Sequence, residues 1–146
     1  MLGLLAGFPY TGVVLRDHAK EWAAGEQHSL ASLGWLKWLA ENTPGTERAW
    51  KMAHLEGVLN GLCLMVVSAI VPVLSKLSRD ELGHLGTAMA VTAYGNSVAS
   101  ILCALGDVRG MLAAGNLLNR SANLGFGSGV PAIGYALFLI LKGSRP

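Results

Sequence analysis

A-H-L-E-G-V-L-N-G-L-C-L-M-V-V-S-A-I-V-P-V-L, residues 53 to 74, combines a long apolar run with a polar head. From Gly57 onward it carries no charged residue. With Met52 before it, the stretch supplies the ~20 mainly apolar residues that a helix needs to cross a ~30 Å hydrocarbon layer. Yet His54, Glu56 and Asn60 fall within its first two turns. Ionisable groups inside a membrane cost about 2.5–3.5 kcal/mol each on insertion scales, so they require a partner, a cavity or a cofactor.

The rest of the chain supports a bilayer as solvent. Hydrophobic residues make up 52% of the 146 positions and charged residues only 14%, and mean hydropathy is +0.45. That is too apolar for an ordinary soluble domain of this size. A formal charge of +2 on scattered basic residues gives no nucleic-acid footprint. Cys63 and Cys103 lie in apolar stretches and read as small packing residues rather than a disulfide framework or a thiol site.

Further spans follow from the same criterion. Residues 52–74 end at Pro72 and the turn S-K-L-S-R-D; residues 82–105 hold no Asp, Glu, Lys or Arg; residues 121–142 are closed by the tail K-G-S-R-P. The opening run, residues 1–18, has no basic stretch ahead of it and reads as a retained first span rather than a cleaved signal peptide. It is short. Either the bilayer thins around it, or Arg16 snorkels and the helix continues past it. The expected fold is all-α, an integral membrane four-helix bundle forming one domain, with an interfacial loop or helix after the first span.

Trp22, Trp35, Trp38 and Trp50 all fall between Arg16 and Lys51. Tryptophan favours the interface, where the ring is buried and the N–H stays wet, so this segment is expected along the headgroups, with residues 29–40 as an interfacial helix. Residues 106–120, rich in glycine, read as a connecting loop that dips back into the protein. The two loops share one side. Arg16, Lys20, Lys37, Arg48, Lys51, Arg109 and Arg120 lie there, against Lys76, Arg79, Lys142 and Arg145 on the other, which leans toward a cytoplasmic first side.

At ~100° per residue, Leu55, Val58, Leu59, Leu62, Met65, Val66, Ile70 and Val73 cover one half of the second span. His54, Glu56, Gly57, Asn60, Gly61, Cys63 and Ser68 cover the other. Glu56 and Asn60 share a stripe one turn apart, whereas His54 lies about half a turn round from Glu56, so the histidine and the Glu/Asn pair address different neighbours. Gly57 and Gly61 form a G-x-x-x-G step for close approach of a second helix or subunit. In the third span Asn96 and Ser100 share a stripe with Thr92, while Tyr94 points elsewhere.

Each feature also has a plainer reading: His54 as an interfacial anchor, the asparagines as helix-packing glue, the glycines as a contact only. Glu56 tips the balance toward a polar pocket, because burying a carboxyl merely for packing is expensive. Hydrolase and zinc readings lack support, with no Ser/His/Asp set, no C-x-x-C and no H-E-x-x-H. G-F-G-S-G at 125–129 has the wrong glycine spacing for a phosphate loop.

H-L-E-G-V-L-N-G, then Y-G-N-S-V-A-S-I-L one span later, then M-L-A-A-G, resemble the hydroxylaminobenzene mutase family, which is in turn similar to the styrene oxide isomerases. The resemblance covers residues 50 to 142. It implies a four-helix membrane isomerase, of a kind that assembles as a homotrimer with haem b between subunits, its ferric iron acting as a Lewis acid. His54 would be the axial ligand, and Asn60, six residues on, would orient the substrate oxygen, with Asn96 and Glu56 beside it. If Asn96 is matched to the third-span asparagine of the epoxide isomerases, their active-site tyrosine falls at Ser100. This departure favours the mutase branch.

The reading is therefore a bacterial inner-membrane isomerase that converts an aromatic hydroxylamine to an aminophenol, with Asn60, Asn96, Glu56 and Ser100 as catalytic candidates and His54 as metal ligand. Two alternatives stand beside it: epoxide-to-carbonyl isomerisation in the same pocket, and a non-catalytic haem-binding membrane protein. The expected partners are the lipid bilayer, a small aromatic hydroxylamine or epoxide, and further copies of the chain, with no nucleic acid.

Overall fold

The computed structural model describes residues 2–18 and 34–145, and among them the regular structure is entirely helical. Helix α1 runs Leu2–Asp17, α2 Gly34–Asn42, α3 Glu47–Ile70 with a 3₁₀ turn Val71–Val73, α4 Arg79–Gly106 and α5 Leu117–Gly143. The segment from Glu47 to Val73, α4 and α5 are long and apolar enough to cross a membrane. At ~1.5 Å per residue the 16 residues of α1 span about 24 Å.

Local chemistry places the ends. The Thr46 hydroxyl accepts from Ala49 N at 3.3 Å and Glu47 complements the N-terminal dipole, so α3 begins five residues before the expected boundary at 52. Pro72 has no N–H to continue the ladder, and the helix tightens into the 3₁₀ turn. A reciprocal box of Ser78 and Glu81 opens α4: Ser78 N donates to Glu81 Oε2 at 3.0 Å and Glu81 N to Ser78 Oγ at 3.2 Å. Asp107, at φ 47°, closes α4 in the left-handed region, and the Asn116 side chain caps α5.

Close approach of small residues sets the packing. Gly3 and Gly57 leave no room for a Cβ on either helix, Gly7 lies against His54, and Val13 clusters with Trp50 and Ala53, so α1 runs antiparallel to α3 along its first half. Gly95 and Gly125 meet backbone to backbone, Leu85 and Leu139 share one core cluster, and Glu81 pairs with Lys142, making α4 and α5 antiparallel. Helices α3 and α5 both pack on α4 but barely on each other.

Several expectations change. Trp50 is not on an interfacial surface: it is buried at 3% exposure among α1, α3 and α4, and its Nε1 donates to Pro44 O at 2.7 Å, which satisfies the one polar atom that would otherwise seek water. Arg48 and Lys51 belong to α3 rather than to a loop. Trp35 and Trp38 are exposed on α2, while Lys20, Trp22 and the start of the expected interfacial helix, residues 29–33, lie outside the described residues. Gly61 of the G-x-x-x-G step meets nothing within 4 Å. Cys63 and Ser68 are exposed, whereas Ile70 packs with Leu64 and Val67 onto the core, because the second half of α3 turns an apolar stripe to α4.

The connection after α4 is ordered by two side chains of α5. Asn119 Oδ1 accepts from Gly110 N at 2.8 Å, and its Nδ2 donates to the carbonyls of Leu112 and Ala114; Asn123 Nδ2 donates to Gly110 O at 3.1 Å. Gly110 is buried against Ala122 and Phe126, so the loop does dip back at this one residue.

Candidate active site

Because α3 and α5 fail to close over α4, a cavity of about 300 Å³ remains among the three helices. Its walls are mainly apolar, built from Met89, Phe126, Val130 and Ile133, and they carry two carboxamides, Asn60 from α3 and Asn96 from α4. Thr92 also lines it, but its hydroxyl donates to Ala88 O at 3.0 Å in its own helix. Cys63 and Val130, both exposed, stand at the rim.

The two carboxamides differ in what they have left to offer. Asn60 Nδ2 donates to Glu56 O at 2.9 Å and to Glu56 Oε1 at 3.0 Å. A backbone carbonyl only accepts, so this end of the amide is the nitrogen, with two acceptors within its reach. The remaining polar atom of Asn60 is Oδ1, an acceptor. Asn96 has no hydrogen-bond partner among the described residues. Its Oδ1 lies over Gly129, where an added Cβ would come within 2.9 Å. An amide that meets no protein partner in a water-poor site retains its hydrogen-bonding capacity for a bound molecule.

Glu56 is half-buried and acts on the cavity through Asn60 rather than by lining it. Ser100, also half-buried, lies one turn beyond Asn96 and outside the lining. No tyrosine borders the cavity among the described residues: Tyr94 is exposed, Tyr10 stacks on His54, and Tyr135 meets His84.

His54 occupies a different flank of α3. Its Nδ1 donates to Gly3 O at 2.7 Å, and Tyr10 stacks on the ring at 6.2 Å between centroids, with 20° between planes. Since the carbonyl can only accept, Nδ1 carries the hydrogen and Nε2 of the neutral ring keeps its lone pair. A histidine that ligates metal through one nitrogen is commonly held in this way, by donation from the other to a carbonyl. The imidazole is thus suited to hold a metal centre through Nε2. Among the described residues there is no cluster of three or more His, Cys, Asp or Glu side chains suited to an ion held by protein groups alone.

Two features of the site were missed in the sequence. Gly125 and Gly129 of G-F-G-S-G are a small-x-x-x-small step: Gly125 admits the Gly95 backbone and Gly129 admits the Asn96 side chain. Their i, i+4 spacing in an apolar run was the available signal. The second is the gap between α3 and α5, which no local pattern announces.

A comparison with protein families matches residues 1–145 to styrene oxide isomerase. The match takes in the first 50 residues, beyond the motif resemblance at 50–142. Comparisons with curated proteins and with solved structures return no match. The chain, with its three helices able to cross a membrane and a small, mainly apolar cavity among them, belongs to the styrene oxide isomerase family.

Proposed function

We propose that the protein is an integral membrane isomerase that rearranges a small aromatic hydroxylamine to an aminophenol in the cavity among α3, α4 and α5. The observation that carries this reading is the pairing of Asn60 and Asn96 on the mainly apolar wall of a cavity of about 300 Å³. That volume is at the small end of ligand pockets and suits a single ring with one polar substituent. An N-hydroxyl group is both donor and acceptor, matching the Asn60 Oδ1 acceptor and the unpartnered Asn96 amide.

The reaction is an isomerisation: the N–O bond breaks, a C–O bond forms on the ring, and the displaced ring proton goes to nitrogen. Asn60 and Asn96 hold the hydroxylamine oxygen and nitrogen in one pose, converting a search for the migration geometry into a bound near-attack arrangement. Met89, Phe126, Val130 and Ile133 keep water away from the electron-poor ring. Haem b held by His54 supplies, when bound, a ferric Lewis acid able to stabilise charge on the heteroatom. Within one chain His54 and the cavity occupy different flanks of α3, and the homotrimer belongs to the same reading, as does α1 as a short fourth span.

Epoxide-to-carbonyl isomerisation is the second reading, favoured by the family description. Against it stands Ser100 where the resemblance puts the epoxide isomerases' tyrosine, together with the lack of a phenol among the described lining residues. Purified protein in lipid nanodiscs, incubated separately with phenylhydroxylamine and styrene oxide, separates the readings. Aminophenol from the first at the higher kcat/KM is expected. Carbonyl product alone would select the epoxide reading, and no turnover of either by haem-loaded protein would favour a binding-only role.

A further inference from the structure

Glu56 does not line the cavity and pairs with no cation among the described residues, so charge neutralisation does not account for it. Its side chain accepts a 3.0 Å bond at Oε1 from Asn60 Nδ2, alongside the 2.9 Å bond from the same nitrogen to its backbone carbonyl. The two bonds do different work. Any residue at position 56 supplies the carbonyl, which settles which end of the amide faces back along the helix. Only a side-chain acceptor supplies the second bond.

We infer that Glu56 is a specificity-determining positioning residue: by accepting from the Asn60 amide nitrogen, it leaves Asn60 facing the cavity as an acceptor through Oδ1 and so favours substrates that carry an O–H or N–H donor. An arylhydroxylamine has such donors. An epoxide has none, and its oxygen would face the Asn60 Oδ1 lone pairs across the cavity. A site whose polar atoms are left unpaired by the wrong substrate discriminates far more strongly than one that only measures size. The inference rests on the proposed reaction for its substrate class, but the arrangement of the amide is a property of the protein alone.

The test therefore has two readouts on full-length protein in nanodiscs, for wild type, Glu56→Leu and Glu56→Gln. Leu removes the acceptor at similar size, and Gln keeps an acceptor oxygen without the charge. The first readout is deuterium exchange of the Asn60 side-chain amide followed by NMR, with backbone amides of α3 as the control for folding. Exchange at least about tenfold faster in Glu56→Leu, restored in Glu56→Gln, is expected; equal rates in all three overturn the inference. The second is the ratio of kcat/KM for phenylhydroxylamine to that for styrene oxide. A fall of at least about tenfold in Glu56→Leu, recovered in Glu56→Gln, is expected, whereas an equal loss on both substrates means a structural role and overturns it. Should wild type turn over neither compound, the proposed reaction fails while the exchange readout still decides the role of Glu56.

Discussion

The imidazole of His54 is tied through Nδ1 to the carbonyl of Gly3 at 2.7 Å, a bond between residues 51 positions apart that holds α1 to α3 and sets the ring tautomer at once. Two substitutions separate these roles. His54→Ala is expected to abolish a Soret band in the purified protein while helical circular dichroism persists. Gly3→Leu would drive its side chain into the backbone of Gly57 and Val58, where a Cβ already comes within 2.8 and 2.7 Å. Displacing the carbonyl is expected to weaken haem affinity by about 10–100-fold, the usual cost of losing a metal ligand's orienting partner. Haem titration monitored by absorbance checks both, and a colourless wild type removes haem from the reading.

Asn96 owes its position to the missing side chain of Gly129. Gly129→Ala places a methyl 2.9 Å from Asn96 Oδ1, so the carboxamide must turn. A loss of about 10–100-fold in turnover is expected, the order seen when a binding group is misplaced by about 1 Å. The His54-dependent absorbance should stay unchanged. Asn60→Ala should behave alike, since both side chains line the same cavity and neither touches the imidazole.

The Gly95–Gly125 crossing makes a stability prediction. Any Cβ at Gly125 comes within 2.8 Å of the Gly95 carbonyl oxygen, whereas one at Gly127 meets nothing within 4 Å. Gly125→Leu is expected to destabilise by roughly 1–3 kcal/mol, as overpacking does, and Gly127→Leu by much less. Unfolding of the two variants in mixed detergent micelles, compared at equal lipid content, measures the difference.

Val130 stands at the rim of the cavity with 71% exposure, facing the gap that α3 and α5 leave over α4. On the proposed reading, a substrate entering from the bilayer would pass this rim. Val130→Trp is expected to raise KM by on the order of tenfold with kcat little changed, the pattern of impaired binding rather than impaired chemistry. Steady-state kinetics in nanodiscs supplies the test, and a selective fall in kcat would place Val130 among the groups that shape the reacting pose instead.

Features that depend on neighbours along the chain were legible in the residues alone. Apolar length marked three helices able to cross a membrane, and helical periodicity sent His54 and the Glu56–Asn60 pair to different flanks of α3. The lipid-facing stripe was legible for the same reason, with Leu59, Met65 and Val66 all well exposed. Only the tertiary structure decided what the flanks meet. That Asn60 and Asn96, 36 positions apart, share one cavity, that Gly129 clears the space for the second of them, and that α3 and α5 stand off from each other all depend on how close two helices come. Helix separation is set by small residues matched across the interface, such as Gly95 with Gly125 and Gly3 with Gly57, and a one-dimensional pattern shows each member of such a pair without its partner.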